Sequence, residues 1–481
     1  MPSKSLDLLI IKPGSQKELY GRLSETLSGL EPPIWAALLA AFVRESGFGV
    51  KMIDMEIEPE KLTPLLAESR PSLVAITVSG TNPSASTMNM IGARAVLEKI
   101  RKSDKGIPTI LMGLHPSSLP ERTMREEPVD MVCQGEGFYT LMEMLANPEN
   151  RNIKGLWYRE TDRIKNNPRA ELVDPNKLPS PAFDLLSMRS YRAHNWHSWT
   201  NKNQRQPYGI IYTSLGCPYN CSFCCINSLF GINKIRQRDP NLVIEDIAGL
   251  VNDYGVKNIK IIDEMFAFKE SHVNKLCDLI IDRGYDLNIW TYARVDTLTG
   301  NMIERMKKAG INWLALGFES GSKKIRDGVI KGRFGNKEIL NAVRMIREEG
   351  ISIVGNFIFG LPDDDMETMT ETLSMAKDLN CEYTNFYVCM AYPGSKLYEA
   401  TDPEDLPESW ASYSQFSYET HTLPTKYLRP EEVLSFRDRA FTEFYNSKKY
   451  QDMMGAKFGE GILNEIKDML KYKLHRRLLG D

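Results

Sequence analysis

Cysteine is scarce in this chain: eight residues in 481. That count does not make a disulfide-stapled scaffold. No stretch approaches the roughly 20 apolar residues that cross a bilayer. The opening residues, MPSKSLDLLI, lack the long apolar core and small-residue cleavage site of a secretory signal. Neither sign of charge dominates, with 60 basic residues against 63 acidic ones and a formal net charge of −3. Such a balance gives no general attraction to nucleic acid or to an anionic membrane surface. Internal repeats and low-complexity tracts are absent. What remains, 42% hydrophobic residues and a mean hydropathy of −0.34, describes a globular protein expected in the cytoplasm. There its cysteines serve as ligands or buried apolar residues. The length implies two or three domains.

The pattern along the chain divides into four stretches. Residues 1–147 alternate short apolar runs with helical segments. LDLLIIKPG, VKMIDMEI, SLVAITVSG, PTILMGLHP and VDMVCQGEG read as strands, and IWAALLAAFVRESG as an amphipathic helix. This alternation predicts an α/β, doubly wound, Rossmann-like domain. In such a sheet ligands sit beyond the carboxyl ends of the strands. The loops there are SGTNPSAS, GLHPSSLPE and QGEG, which place Ser79, Gly80, Gly113, His115, Gly135 and Glu136 as candidate contacts. Residues 148–206 lose the periodicity and are expected to be a linker packed on the surface. Residues 207–400 recover it in six strand-like runs, from YGIIYTSLG to YTNFYVCMAYPG. A partial (β/α)6 barrel of the TIM type fits them, because polar residues recur at the strand ends. Residues 401–481 are helical and charged.

Four of the eight cysteines fall within SLGCPYNCSFCC, residues 214–225. Cys217, Cys221 and Cys224 follow a strand with the spacing C-x3-C-x2-C. Three thiolates on one loop suit a soft metal site. Zinc takes four ligands, usually as closely spaced pairs, and no second pair lies nearby. Three cysteines instead suit a 4Fe–4S cluster that leaves one iron without a protein ligand. Cys225 lies outside the spacing and is expected to be a buried thiol.

The segment CPYNCSFC, with Phe223 at the aromatic position, resembles the motif of radical S-adenosylmethionine (SAM) enzymes. The resemblance implies that the three cysteines hold the cluster. It also implies that SAM chelates the open iron and is cleaved to a 5′-deoxyadenosyl radical. Further segments are similar in the same order over about 190 residues. IIDEMFAF places Asp263 and Glu264 near the SAM amino group. WTYARVD places Arg294 near its carboxylate, since a guanidinium meets a carboxylate in a fork. LGFESGS places Glu319 and Ser320 at the next strand end. GNFIFGLPDD places Gly360 on the adenine side.

The doubly wound stretch ahead of the barrel resembles the cobalamin-binding subgroup of these enzymes. His115 and Pro116 of GLHPSSLPE and Gly135-Glu136 stand at matching places. The first loop, IKPGSQKELYG, lacks the D-x-H-x-x-G pattern of other cobalamin domains, so no histidine is expected on cobalt; His115 stays an open alternative. The resemblance implies a radical SAM methyltransferase in which methylcobalamin supplies a methyl group to an unactivated carbon or phosphorus centre. A one-electron reductant such as flavodoxin or ferredoxin is implied as a partner. A cobalamin-dependent cyclase or oxidoreductase without methyl transfer shares every motif. A sensor with a vestigial cluster conflicts with the intact triad. A methylthiotransferase would need a second cysteine triad, and only Cys133 precedes Cys217. HNWHSW, with His194 and Trp196, is a candidate wall of the active site. EPPIWAALLA with HNWH is similar to the phosphinate P-methyltransferase branch, while C-methylation of a sugar, lipid, peptide or antibiotic precursor stays open.

Overall fold

The chain is described from a computed structural model covering residues 6–80, 86–199, 204–332 and 334–481. Residues 81–85 of the loop SGTNPSAS and 200–203 of the second stretch lie outside the described residues.

The first sheet has the order β2-β1-β3-β4-β5-β6-β7. Its strands are β1 (Leu8–Lys12), β2 (Val50–Asp54), β3 (Leu73–Val78), β4 (Thr109–Gly113), β5 (Met131–Cys133), β6 (Leu156–Glu160) and β7 (Arg163–Asn166). β1 to β5 are parallel. Every residue of β3 and β4 is buried, as expected of strands covered on both faces. β2 lies on one side of β1 and β3 on the other, so the strand order reverses there and opens a crevice at their carboxyl ends. Gly113 ends β4 at φ +116°, and a Cβ would fall 2.3 Å from the Val78 carbonyl oxygen. Only glycine lets these two strand ends approach so closely.

The stretch expected as a surface linker differs. Its residues form the antiparallel hairpin β6–β7, which continues the first sheet from β5. The reason is the edge of β5, whose unpaired backbone groups take a partner. The hairpin strands are short, charged and half-exposed, so their sequence carries little strand pattern. Further on, the stretch buries Tyr191, Trp196 and Trp199.

The second sheet contains β8 (Tyr208–Ile211), β11 (Asn258–Ile261), β12 (Asn288–Ala293), β13 (Ile311–Glu319), β14 (Ser352–Phe359) and β15 (Tyr383–Val388). All pair in parallel and in chain order. β8 and β15 are the two edges, which gives the expected partial barrel. A short antiparallel ladder, β9 (Ser214–Leu215) with β10 (Arg236–Gln237), closes the neck of the loop between β8 and the helix Pro240–Tyr254. Buried side chains of both sheets form one continuous core.

The free edge of β15 is covered by side chains. Tyr450 and Tyr445 hydroxyls donate to the carbonyls of Glu382 (2.9 Å) and Thr384 (2.8 Å). Arg437 Nε donates to the Phe386 carbonyl (2.7 Å), and Gln415 Nε2 to that of Val388 (3.0 Å). The first three belong to the C-terminal helices Pro430–Tyr445 and Lys448–Phe458.

Candidate functional site

The cysteine loop is tightly tethered. Gly216 leads into it at φ +85°, and a Cβ would meet the Lys234 carbonyl oxygen at 2.4 Å. Its N–H donates to Glu264 Oε2 (3.0 Å). The Ser222 N–H donates to the Val329 carbonyl (3.0 Å), while the Ser222 carbonyl accepts from Leu397 N (2.8 Å). Cys217, Phe223 and Cys224 line a cavity of about 1170 Å³ inside the barrel. Burial pushes the Cys217 thiol up to about 11 and the Cys224 thiol up to about 12. Among the described residues no three His, Cys, Asp or Glu side chains gather around a single ion. Three cysteines on one loop, two of them facing a large cavity, still fit a four-iron cluster, which takes each thiolate on a different iron. Cys225 is buried, 2% exposed, and lines neither this cavity nor the smaller one at the crevice of the first sheet.

The residues expected near SAM separate into two groups. Phe223, Glu264, Arg294 and Glu319 line the large cavity. Burial pushes the Glu264 carboxyl up to about 8. Arg294 is held by Asp296 in a fork (2.9 and 2.8 Å) and donates to the Lys331 carbonyl (2.5 Å). Its guanidinium lies 3.7 Å over the Tyr219 ring, with Nη1 4.0 Å from Cys221 Sγ. Asp296 thus occupies the fork that the sequence pattern gave to a SAM carboxylate. Glu319 adopts φ +60° and accepts from Lys331 Nζ (2.6 Å). Lys331 was not anticipated. It sits on the loop IKG, where a lone basic residue carries no pattern, yet it lines the same cavity.

Asp263, Ser320 and Gly360 do not reach the cavity. Asp263 is fully buried and accepts from Thr213 N (2.7 Å), Thr213 Oγ1 (2.5 Å) and Ser214 Oγ (2.6 Å). It ties the end of β11 to the segment that follows β8. Ser320 Oγ accepts from Ser322 N (3.1 Å) and pairs with Thr372 Oγ1. Gly360 makes room for Val433, whose Cγ1 would lie 2.5 Å from an added Cβ.

A smaller cavity of about 80 Å³ lies at the crevice between β1 and β3. Ser79, Gly80 and Gly113 line it, as the loop positions predict, together with Lys12. Tyr20, Met88, Ile226 and Glu264 line both cavities. The strand ends of the two sheets therefore meet at one wall. The small cavity is far below the size of a corrin, so a cobalamin would have to share the larger one.

Three loop residues expected there line neither cavity: His115, Gly135 and Glu136. His115 packs edge-on to Trp410 with ring centres 4.5 Å apart. Its Nδ1 lies 3.2 Å from Thr87 Oγ1, and its Nε2 is buried without a partner among the described residues. Gly135 N donates to Ser117 Oγ (3.0 Å). Glu136 turns away to Arg236 Nη2 (2.5 Å) on β10 and to Val173 N (2.8 Å). It clamps the first sheet to the neck of the cysteine loop, a partner that no local pattern names.

The floor of the large cavity carries a buried charged cluster. Lys260 Nζ donates to both oxygens of Glu31 (3.1 and 2.9 Å). His194 Nδ1 accepts from Gly29 N (3.1 Å), which leaves Nε2 to carry its proton toward Glu31 (3.4 Å). Burial raises the Glu31 carboxyl, but Lys260 and His194 together hold it below its ordinary value. His194 and Trp196 both line this cavity, with the Trp196 ring against Trp290 and Trp313.

Two other histidines set an acid response. Burial lowers His115 and His197 to about 3 from 6.5. Both are neutral when folded and must take up a proton on unfolding below pH 6.5. The stability this contributes is complete above 6.5 and is lost as pH falls toward 3. Urea unfolding between pH 7 and 5 is expected to lose about 1.4 kcal/mol per histidine for each pH unit below the unfolded value. Replacing both with glutamine should flatten that slope, and an unchanged slope would refute the assignment.

Comparison with known proteins agrees with this geometry. Residues 211–376 match the Radical SAM superfamily, and residues 23–145 match the B12 binding domain. An uncharacterised methyltransferase of Pyrococcus horikoshii is 28% identical over 453 residues, covering 92% of this chain and 93% of that protein. An anaerobic magnesium-protoporphyrin IX monomethyl ester cyclase of Cereibacter sphaeroides is 25% identical over 438 residues, covering 88% and 68%. The fold matches the radical SAM methyltransferase TsrM of Kitasatospora setae, solved with cobalamin and a 4Fe–4S cluster. The TM-score is 0.70 at 17% identity, covering 97% of this chain and 100% of that one. The chain thus carries a B12 binding domain at residues 23–145 ahead of a radical SAM domain at residues 211–376.

Proposed function

We propose that the protein is a cobalamin-dependent radical SAM methyltransferase acting on an unactivated carbon or phosphorus centre. One observation carries the reading: a single large cavity takes its walls from the cysteine loop, from barrel strand ends and from Tyr20, Leu23 and Met88 of the first domain. When bound, the cluster supplies the electron that cleaves SAM, and cobalamin supplies the methyl group. Cys217, Cys221 and Cys224 would hold the cluster. Lys331, Glu319 and Arg294 would surround the polar end of SAM. Glu264, on the wall common to both cavities, would stand between the two cofactors. The aromatic floor excludes water from a reactive centre. The reductant would be flavodoxin or ferredoxin.

The test is anaerobic incubation with labelled SAM, cobalamin, reductant and candidate substrates, followed by mass spectrometry. A product heavier by one labelled methyl group, with 5′-deoxyadenosine, supports the reading. A product with a new ring and no added methyl would point instead to the cyclase chemistry named for some relatives. Absence of 5′-deoxyadenosine would overturn both.

His194→Ala and Trp196→Ala are expected to lower methyl transfer several-fold more than they lower SAM cleavage. Both residues line the cavity floor away from the cysteines, so the radical would still form but meet a misplaced substrate. The ratio of methylated product to 5′-deoxyadenosine checks this; an unchanged ratio refutes it.

A further inference from the structure

The large cavity does not end inside the barrel. Beyond Tyr383 and Tyr387 of β15 it continues past Phe441, Met469, Leu470 and Leu474 of the C-terminal segment. It reaches solvent between Arg439, Glu443, Lys473 and Asp481, all exposed. Its inner part is kept open by small side chains. Ala315, Gly317 and Val354 face it from neighbouring strands, where larger residues would fill it. Polar groups step along this wall: Asn385 Nδ2 donates to Asn356 Oδ1 (2.9 Å), Asn356 Nδ2 to the Leu316 carbonyl (3.2 Å), and Gln415 and Arg437 line the cavity at the edge of β15.

The charges at the mouth do not cancel. Glu443 is engaged by Lys377. Asp481 Oδ2 accepts from Arg476 N (2.9 Å). Asp438 is shared between Arg437 and Arg476. Arg439 instead lies over the Phe436 ring at 5.0 Å, and Lys473 makes no ion pair with the described residues. Arg437 and Arg476 outnumber Asp438 by one charge, which offsets Asp481, so Arg439 and Lys473 leave the mouth net positive, next to a long, mainly apolar interior.

Resting on the reading of this cavity as the substrate site, we infer that it takes an elongated anionic amphiphile. The carboxylate or phosphate head lies at Arg439 and Lys473, and the carbon body runs inward past Tyr383 and Tyr387 toward the cysteine loop. Apolar burial supplies the affinity and the two cations fix the direction of entry. A compact polar substrate would leave the outer end of the cavity, along Phe441, Met469, Leu470 and Leu474, unfilled.

The test is fluorescence titration of the full-length protein with dansylaminoundecanoate, and with dansylglycine as the same head without the chain. The long probe is expected to bind saturably, one per protein, and at least about tenfold more tightly than dansylglycine. Laurate and dodecyl phosphate should displace it; whichever acts at lower concentration identifies the head. Dodecyl maltoside should displace it poorly. Val354→Trp, which fills the interior, and the surface double variant R439E/K473E should each weaken binding at least about tenfold. The surface variant guards against a folding failure of the first.

Equal binding of both probes, or binding indifferent to Val354→Trp, would overturn the elongated occupant. Displacement by maltoside as good as by laurate, or indifference to the charge reversal, would overturn the anionic head. The titration requires neither cluster nor methyl transfer, so its failure is distinct from failure of the proposed reaction.

Discussion

Alanine at Cys217, Cys221 or Cys224 is expected to abolish reductive SAM cleavage, leaving 5′-deoxyadenosine at background. The loop has no spare ligand. Cys225, next in sequence, is buried and lines neither cavity. Glu264 is committed to the Gly216 N–H. Loss of one thiolate therefore strands an iron with no protein replacement within the loop. Iron analysis of the reconstituted protein should fall well below about four per chain in each variant. Cys225→Ala should keep its iron and its cleavage activity. A triple alanine variant that retained a full cluster would overturn the assignment, as would a Cys225→Ala variant that lost it.

The second large effect concerns the cavity floor. Glu31 comes from the entry to the helix Ile34–Glu45 of the first domain and Lys260 from barrel strand β11; their side chains are 5% and 1% exposed. Lys260→Met should leave Glu31 as a buried charge with, among the described residues, only His194 as a cationic partner, at a cost of about 3–5 kcal/mol. Glu31→Gln should cost a similar amount, because the ammonium then faces the Trp290 and Tyr292 rings, 4.7 and 5.8 Å away, without its carboxylate. The double variant removes both charges and should be more stable than either single one. Thermal unfolding of the four proteins measures this. A double variant as unstable as the sum of the singles would show that the pair does not act as a unit.

The parts of the site that were legible in the sequence are those set by local chemistry. Cysteine spacing identified the loop, and runs such as SLVAITVSG and NWLALGFES identified strands β3 and β13. Adjacent acidic residues at a strand end were not separable. Asp263 and Glu264 point in opposite directions, one into Thr213 and Ser214 and the other to the cavity wall. Which of the two faces the ligand depends on how β11 sits against β8. Lys331 and the Glu136–Arg236 clamp were invisible for the same reason, since each is defined by a partner distant in sequence. The hairpin β6–β7 escaped because its pairing answers the exposed edge of β5 more than any pattern of its own.

The side chains along β15 bear on how such a protein diversifies. A barrel edge is usually silenced by another strand, which would also seal the gap. Here Tyr445, Tyr450, Arg437 and Gln415 satisfy the edge carbonyls one by one. The gap stays available as a doorway while the edge no longer recruits a foreign strand. The helices that carry most of these caps also frame the doorway. Remodelling them changes which guest enters, while the cysteine loop keeps its own tethers to Glu264, Val329 and Leu397. The chemistry and the choice of guest are thereby free to evolve at separate rates.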